Sequence, residues 1–164
     1  MYEKLNITEN SLHVLSLFTN GADKRYYIRE VQKILKISPR TVQLILENYE
    51  DLGILKSKLR GKIREFNLNS NDFTKRFLVF VENYKAISFL KKKLLIKEII
   101  DKLTPSLNGI GIIFGSYAKG LENENSDLDI FVVGSFDSEK IDKISQFYGL
   151  DINVKCYSRK LFEK

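Results

Sequence analysis

Gly115-Ser116-Tyr117-Ala118-Lys119-Gly120 and, beyond a polar loop, Ser126-Asp127-Leu128-Asp129-Ile130 form the stretch whose reading decides the fold of this chain. Ile110–Phe114 is an apolar run suited to a buried strand, and it ends in a small-residue turn. Ten residues separate Ser116 from Asp127. Asp127 and Asp129 then stand two apart at the head of a second apolar run, Leu128–Val133. Side chains two apart on a strand share a face, so both carboxylates can ligate one hard cation. A glycine-serine turn lets backbone N–H groups come close to a phosphate. Together the two halves of the stretch suit a metal-bound phosphate.

Working outward, Ser138–Phe147 reads as an amphipathic helix with Ile141, Ile144 and Phe147 inward. Leu150–Tyr157 reads as a third strand in which Leu150, Ile152 and Val154 alternate with Asp151 and Asn153. The Gly-Ser turn, the ten-residue gap and the Asp-x-Asp pair resemble the signature of the minimal nucleotidyltransferases of the DNA polymerase beta-like superfamily. Gly115, Ser116, Asp127 and Asp129 fill the four signature positions, and the resemblance covers roughly the C-terminal half. It implies a small mixed sheet with flanking helices. It also implies transfer of a nucleoside monophosphate, expected to be AMP, from an NTP, expected to be ATP, to a hydroxyl, with loss of pyrophosphate.

The resemblance further implies that Asp127 and Asp129 bind Mg²⁺. The family places a third carboxylate on the neighbouring strand, and Asp151 is its match here. Asp151 would complete a two-metal site and prepare the acceptor hydroxyl, directly or through that second metal. Gly115 and Ser116 would cradle the leaving phosphates, while Lys119 is either a phosphate-neutralising group or a surface lysine. Some nucleotidyltransferases of this kind act as antitoxins that adenylylate a tyrosine on a HEPN-type toxin, and others modify small molecules such as aminoglycosides. The small size favours a protein partner or a homo-oligomeric site.

The N-terminal half carries a different pattern. Thr8 caps a helix to Thr19, with Leu12, Leu15 and Phe18 as its buried stripe and Asn20-Gly21 as its stop. A second helix over Ile28–Lys36 follows. Ser38 and Pro39 then start a third, which carries Val42, Ile45, Leu46, Tyr49 and Leu52 inward until Gly53 closes it. Ile54–Leu68 alternates like a hairpin, and a three-residue loop, Leu59-Arg60-Gly61, sets Lys58 against Lys62 and Lys56 against Arg64. Like charges across a hairpin cost stability unless a polyanion lies against them.

Residues 8–69 thus resemble a winged helix-turn-helix. The resemblance implies DNA contacts by Ser38, Arg40, Thr41 and Gln43 in the groove and by Lys58, Arg60 and Lys62 on phosphates. Glu47, Glu50 and Asp51 make the far end of the third helix acidic, which leaves only its first turns for DNA. A protein-interaction module with a solvated wing is the alternative.

Residues 71–104 read as helical, with Phe73, Phe77, Phe80, Val81 and Tyr84 on one side, a break near Ala86-Ile87-Ser88, and a stop at Thr104-Pro105. Lys91-Lys92-Lys93 reads as a solvated helix face. The expected organisation is α+β: a winged helix over 1–70, a helical connector over 71–87 and a minimal nucleotidyltransferase domain over 88–164.

Charge follows this division. The chain carries +6 overall, with +4 in residues 1–70, +4 in 71–104 and −2 in 105–164. The basic part suits nucleic acid. Cys156 is the only cysteine, which excludes an internal disulfide and a multi-cysteine zinc site. His13 is the only histidine and lies far in sequence from the acids, so no serine or cysteine triad is available. No apolar stretch is long enough to span a membrane and no signal peptide is visible, so a cytoplasmic location is expected. Two functions follow from these features. One is an Mg²⁺-dependent nucleotidyltransferase with a DNA-binding domain; the other is a DNA-binding regulator whose second half only senses nucleotide or acts as a scaffold.

Overall fold

The computed structural model describes residues 5–19, 21 and 23–163. Asn20, read as part of the first helix stop, lies outside them. The chain divides into two compact units, Met1–Phe89 and Leu90–Lys164.

In the first unit, Thr8 begins α1 (Glu9–Phe18) by a reciprocal cap. Its side chain accepts from the Ser11 amide at 3.2 Å, and its own amide donates to Ser11 Oγ at 2.8 Å. A two-residue strand, β1 (Arg25–Tyr26), leads into α2 (Ile28–Leu35). Lys36, at φ 55°, turns the chain into α3 (Pro39–Asp51), which Ser38 caps by accepting from the Thr41 amide at 3.0 Å. The hairpin β2 (Leu55–Arg60) and β3 (Ile63–Leu68) completes a sheet of order β1-β3-β2. This is the winged helix-turn-helix arrangement expected from the sequence. β1 is not visible in the sequence, because two residues leave no periodicity to see.

Leu15, Phe18, Val31, Val42, Leu46, Tyr49, Ile54 and Phe66 form the core. Full burial of each such side chain stabilises by roughly 1.5–3 kcal/mol before entropy is counted. Phe77 and Val81 of α4 (Asp72–Lys92) join the same core. The connector thus begins as part of the first unit. The expected break near Ser88 does not occur: α4 has no proline or glycine there and continues to Lys92, and Lys93 leaves helical geometry instead.

The hairpin register corrects the expectation from sequence. Gly61-Lys62 is a two-residue turn, with Gly61 at φ 62° in the first central position that a type II′ turn reserves for glycine. Lys58 therefore faces Glu65, not Lys62, and Lys56 faces Asn67, not Arg64. The costly like-charge pairs are absent from this hairpin. Arg64 instead reaches the acidic end of α3, pairing with Glu50, while its guanidinium lies 5.2 Å from the Phe66 ring centre.

In the second unit, α5 (Leu94–Leu103) and a 3₁₀ turn over Thr104–Ser106 lead into β4 (Leu107–Phe114). The chain continues through α6 (Gly115–Lys119), β5 (Leu128–Phe136), α7 (Ser138–Tyr148), β6 (Ile152–Tyr157) and α8 (Arg159–Phe162). The sheet order is β4-β5-β6; β4 runs antiparallel to β5, and β5 parallel to β6. Along β5, Leu128, Ile130 and Val132 are buried in a core with Ile96, Ile99, Leu103 and Ile141 from the helices. The alternate residues, beginning with Asp129, occupy the opposite face. No helix among the described residues is long and apolar enough to cross a membrane.

Tyr49 ties α3 to α1 in the buried interior: its hydroxyl donates to the Ser11 carbonyl at 2.8 Å. Replacing Tyr49 by Phe should cost about 1 kcal/mol of stability. The check is a urea titration followed by circular dichroism, in which the midpoint should fall while the slope stays unchanged.

Candidate active site

The two halves of the signature meet directly. Phe114, the last residue of β4, pairs in register with Asp129, the second residue of β5. Gly115 follows Phe114 at φ 73°, a left-handed backbone that glycine adopts without penalty. A Cβ on Gly115 would lie 2.1 Å from Asp129 Oδ2, so the missing side chain is the space that the carboxylate occupies. Tyr117, 8% exposed, anchors α6 to the unit, and Gly120 ends that helix in left-handed geometry at φ 66°.

The loop into Asp127 is also built. The Asn123 amide donates to Ser126 Oγ at 2.8 Å, and the Asn125 amide donates to Asn123 Oδ1 at 2.9 Å. Glu122, expected in a plain polar loop, forms an ion pair with Lys93. That lysine holds the Glu122 carboxyl below its ordinary range, chiefly by hydrogen bonding. Lys93 is thus a partner of this loop and not part of a solvated helix face.

Asp127 is exposed and Asp129 half-buried. Asn153 on β6 pairs in register with Asp129, and its Nδ2 donates to Asp127 Oδ2 at 2.8 Å. Asp127, Asp129 and Asn153 therefore share one end of one sheet face. Asp151 lies before β6; its carbonyl accepts from the Leu128 amide at 2.8 Å, and its side chain is exposed. Among the described residues no group of three acidic, histidine or cysteine side chains is gathered closely enough to share a metal. Two carboxylates on one face remain a hard, all-oxygen donor pair of the kind that suits one Mg²⁺ ion.

Ser116 is half-buried in the first turn of α6, and Lys119 is exposed in its last. Lys155, which the sequence pattern alone does not single out, places its Nζ 5.5 Å from the centre of the Phe114 ring, on the face that carries Asp129. Strand alternation from Asp151 through Asn153 to Lys155 is the available signal for both Asn153 and Lys155.

The matching region of known proteins coincides with this unit. The family model described as a nucleotidyltransferase domain matches residues 92–160. A relative from Methanocaldococcus jannaschii, named "Putative protein adenylyltransferase", is 38% identical over an alignment of 76 positions that covers 42% of this chain and 76% of the relative. The chain belongs to the nucleotidyltransferase family. Solved structures give looser likenesses. The adhesin competence repressor of Streptococcus pyogenes is 19% identical over 61% of this chain and 78% of its own, at TM-score 0.46. An S. aureus MepR variant bound to an oligodeoxyribonucleotide is 17% identical over 56% of this chain and 65% of its own, at TM-score 0.42. These are loose likenesses, and the winged-helix assignment rests on the order and pairing of the elements themselves.

In that winged helix the expected groove residues cluster at the start of α3. Ser38 Oγ and Thr41 Oγ1 are 2.7 Å apart, Arg40 donates to Gln43 Oε1 at 3.3 Å, and Gln43 donates to Glu47 Oε1 at 2.9 Å. Lys58, Arg60 and Lys62 are exposed on the wing, and Arg60 lies 3.5 Å from Glu65.

Gly115→Ala in this nucleotidyltransferase should displace Asp129, because the new methyl group and its carboxylate cannot share one space. Mn²⁺ affinity, titrated by electron paramagnetic resonance, should fall, because one oxygen donor of the pair is moved. The circular dichroism spectrum should keep its folded shape.

Proposed function

We propose that residues 88–164 transfer AMP from ATP to a hydroxyl of a partner protein, and that residues 1–70 bind DNA. The observation that carries the first part is the seat of the Asp129 carboxylate in the space left by Gly115. It makes the phosphate turn and the cation ligands one site. Asp127 and Asp129 would hold Mg²⁺, which supplies charge neutralisation for the triphosphate. Gly115 and Ser116 present backbone N–H groups and a hydroxyl to the phosphates, and Lys119 adds positive charge at the end of the same helix. The acceptor oxygen attacks the α-phosphorus in line, its proton is released, and the bond to pyrophosphate breaks. The name of the M. jannaschii relative supports a protein acceptor. A HEPN-type toxin or a second copy of the chain fits such a site. Asp151 is the carboxylate proposed from the family pattern for the acceptor side.

For DNA, the start of α3, with Ser38, Arg40, Thr41 and Gln43, is the proposed reader, and Lys58, Arg60 and Lys62 the phosphate contacts. The wing keeps this role although its like-charge pairing is absent, because all three cations are exposed. The second function, a DNA-binding regulator that senses nucleotide without transferring it, is favoured by one observation: the β6 residue beside Asp127 and Asp129 is an amide.

Incubation with Mg²⁺ and α-³²P-labelled ATP, CTP, GTP or UTP, alone and with host lysate, tests the enzyme. Label should pass from ATP to a discrete protein, and the Asp127→Asn/Asp129→Asn variant should abolish it. Nucleotide binding without variant-sensitive transfer would instead support the regulator.

Neutralising Lys58, Arg60 and Lys62 should leave transfer intact. It should lower the slope of log affinity for DNA against log salt by about 0.9 for each phosphate no longer neutralised. Abolition of both activities by either set of changes would contradict two separable modules.

A further inference from the structure

Lys155 of β6 is an exposed cation on the sheet face that carries Asp129. It pairs in register with Phe131, which stands two residues after Asp129 on β5. Asp129, Phe131 and Lys155 therefore share that face. The lysine does not stay in its own row. Its Nζ lies 5.5 Å from the centre of the Phe114 ring on β4, so the side chain reaches across β5. Phe114 faces Asp129 in the β4–β5 register and is followed by Gly115. The ammonium is thus delivered to the row that holds Asp129, beside the phosphate turn.

An aromatic ring attracts positive charge through its π face but offers no oxygen to the N–H groups. Among the described residues Lys155 forms no ion pair. A cation beside an acidic site that does not close onto a carboxylate keeps its N–H donors for another anion. A divalent ion neutralises the aspartates themselves. The anion left to Lys155 is the nucleotide.

The phosphate chain divides between two elements. The Gly115-Ser116 turn and α6, with Lys119 in its last turn, receive the leaving phosphates. Lys155 belongs to the sheet face, where the metal ligands stand and the reacting phosphorus must lie. As the acceptor oxygen bonds to that phosphorus and the bond to pyrophosphate breaks, negative charge collects on the non-bridging oxygens. A cation already in place stabilises this charge without reorganisation. Lys155 keeps its proton throughout and only donates a hydrogen bond.

We infer that Lys155 binds the α-phosphate of the nucleotide, apart from the leaving phosphates held at the turn. This rests on the nucleotidyltransferase reading of Asp127 and Asp129.

The test is displacement of a fluorescent ATP analogue from the full chain in Mg²⁺ by ATP, AMP, pyrophosphate or adenosine, with folding checked by circular dichroism. Lys155→Met keeps the stem and removes the charge. It should weaken ATP and AMP alike by about tenfold, the loss expected for one charge-assisted hydrogen bond. Pyrophosphate and adenosine, which lack the α-phosphate, should bind as they do to wild type. Lys155→Arg should restore most of the AMP affinity.

Unchanged AMP affinity in Lys155→Met would overturn the inference, whether or not pyrophosphate weakens. So would an equal loss for all the ligands, which would make Lys155 a structural prop on Phe114. Either result leaves the nucleotide site standing. ATP binding indifferent to Asp127→Asn/Asp129→Asn would overturn the site itself, and the inference with it.

Discussion

The seat of Asp129 against Gly115 is the constraint on which the second unit depends. Gly115 follows the last residue of β4 and Asp129 is the second residue of β5, and the pairing of Phe114 with Asp129 brings them together. A one-residue slip in that pairing would turn Asp129 toward the apolar core and bring Leu128 or Ile130 to the open face. The buried alternation of Leu128, Ile130 and Val132 prevents the slip, because these side chains fill the core under α5 and α7. Packing thus sets the register, the register sets the carboxylates, and the missing Cβ gives them room. The ion pair of Lys93 with Glu122 then steadies the loop between the two halves of the signature.

Much of this is legible in the sequence alone. Asp127 and Asp129 stand at a strand head after a Gly-Ser turn, and both pattern and spacing are local. The caps at Thr8 and Ser38 are legible for the same reason: a polar residue before an apolar helical stripe has few other uses. What stays hidden depends on pairing between segments. The hairpin could be threaded with a two- or a three-residue turn, and only the strand twist selects the glycine-first two-residue form. Lys93 looks like one more solvated lysine because its partner lies far along the chain. Asn153 is visible as a strand residue, but its contact with Asp127 follows from the β5–β6 register, which alternation alone does not set.

The corrected hairpin changes the electrostatic account of the first unit. The wing is not a row of opposed cations held in readiness for a polyanion. Lys58 faces Glu65, Arg60 lies beside that same glutamate, and Arg64 meets the acids at the end of α3. What stays exposed is the edge of the wing and the start of α3, while Glu47 and Glu50 at the acidic end of that helix are partnered by Arg64. Surface pairs of this kind contribute little to stability.

The most direct measurement of the central claim is a crystal structure of the chain with Mn²⁺ and a non-hydrolysable ATP analogue, using anomalous scattering to locate the metal. The account predicts a manganese peak between the Asp127 and Asp129 carboxylates, with the analogue's phosphates against the Gly115-Ser116 turn. Manganese and nucleotide bound elsewhere, with the Asp129 carboxylate still seated against Gly115 and no phosphate at the turn, would contradict it.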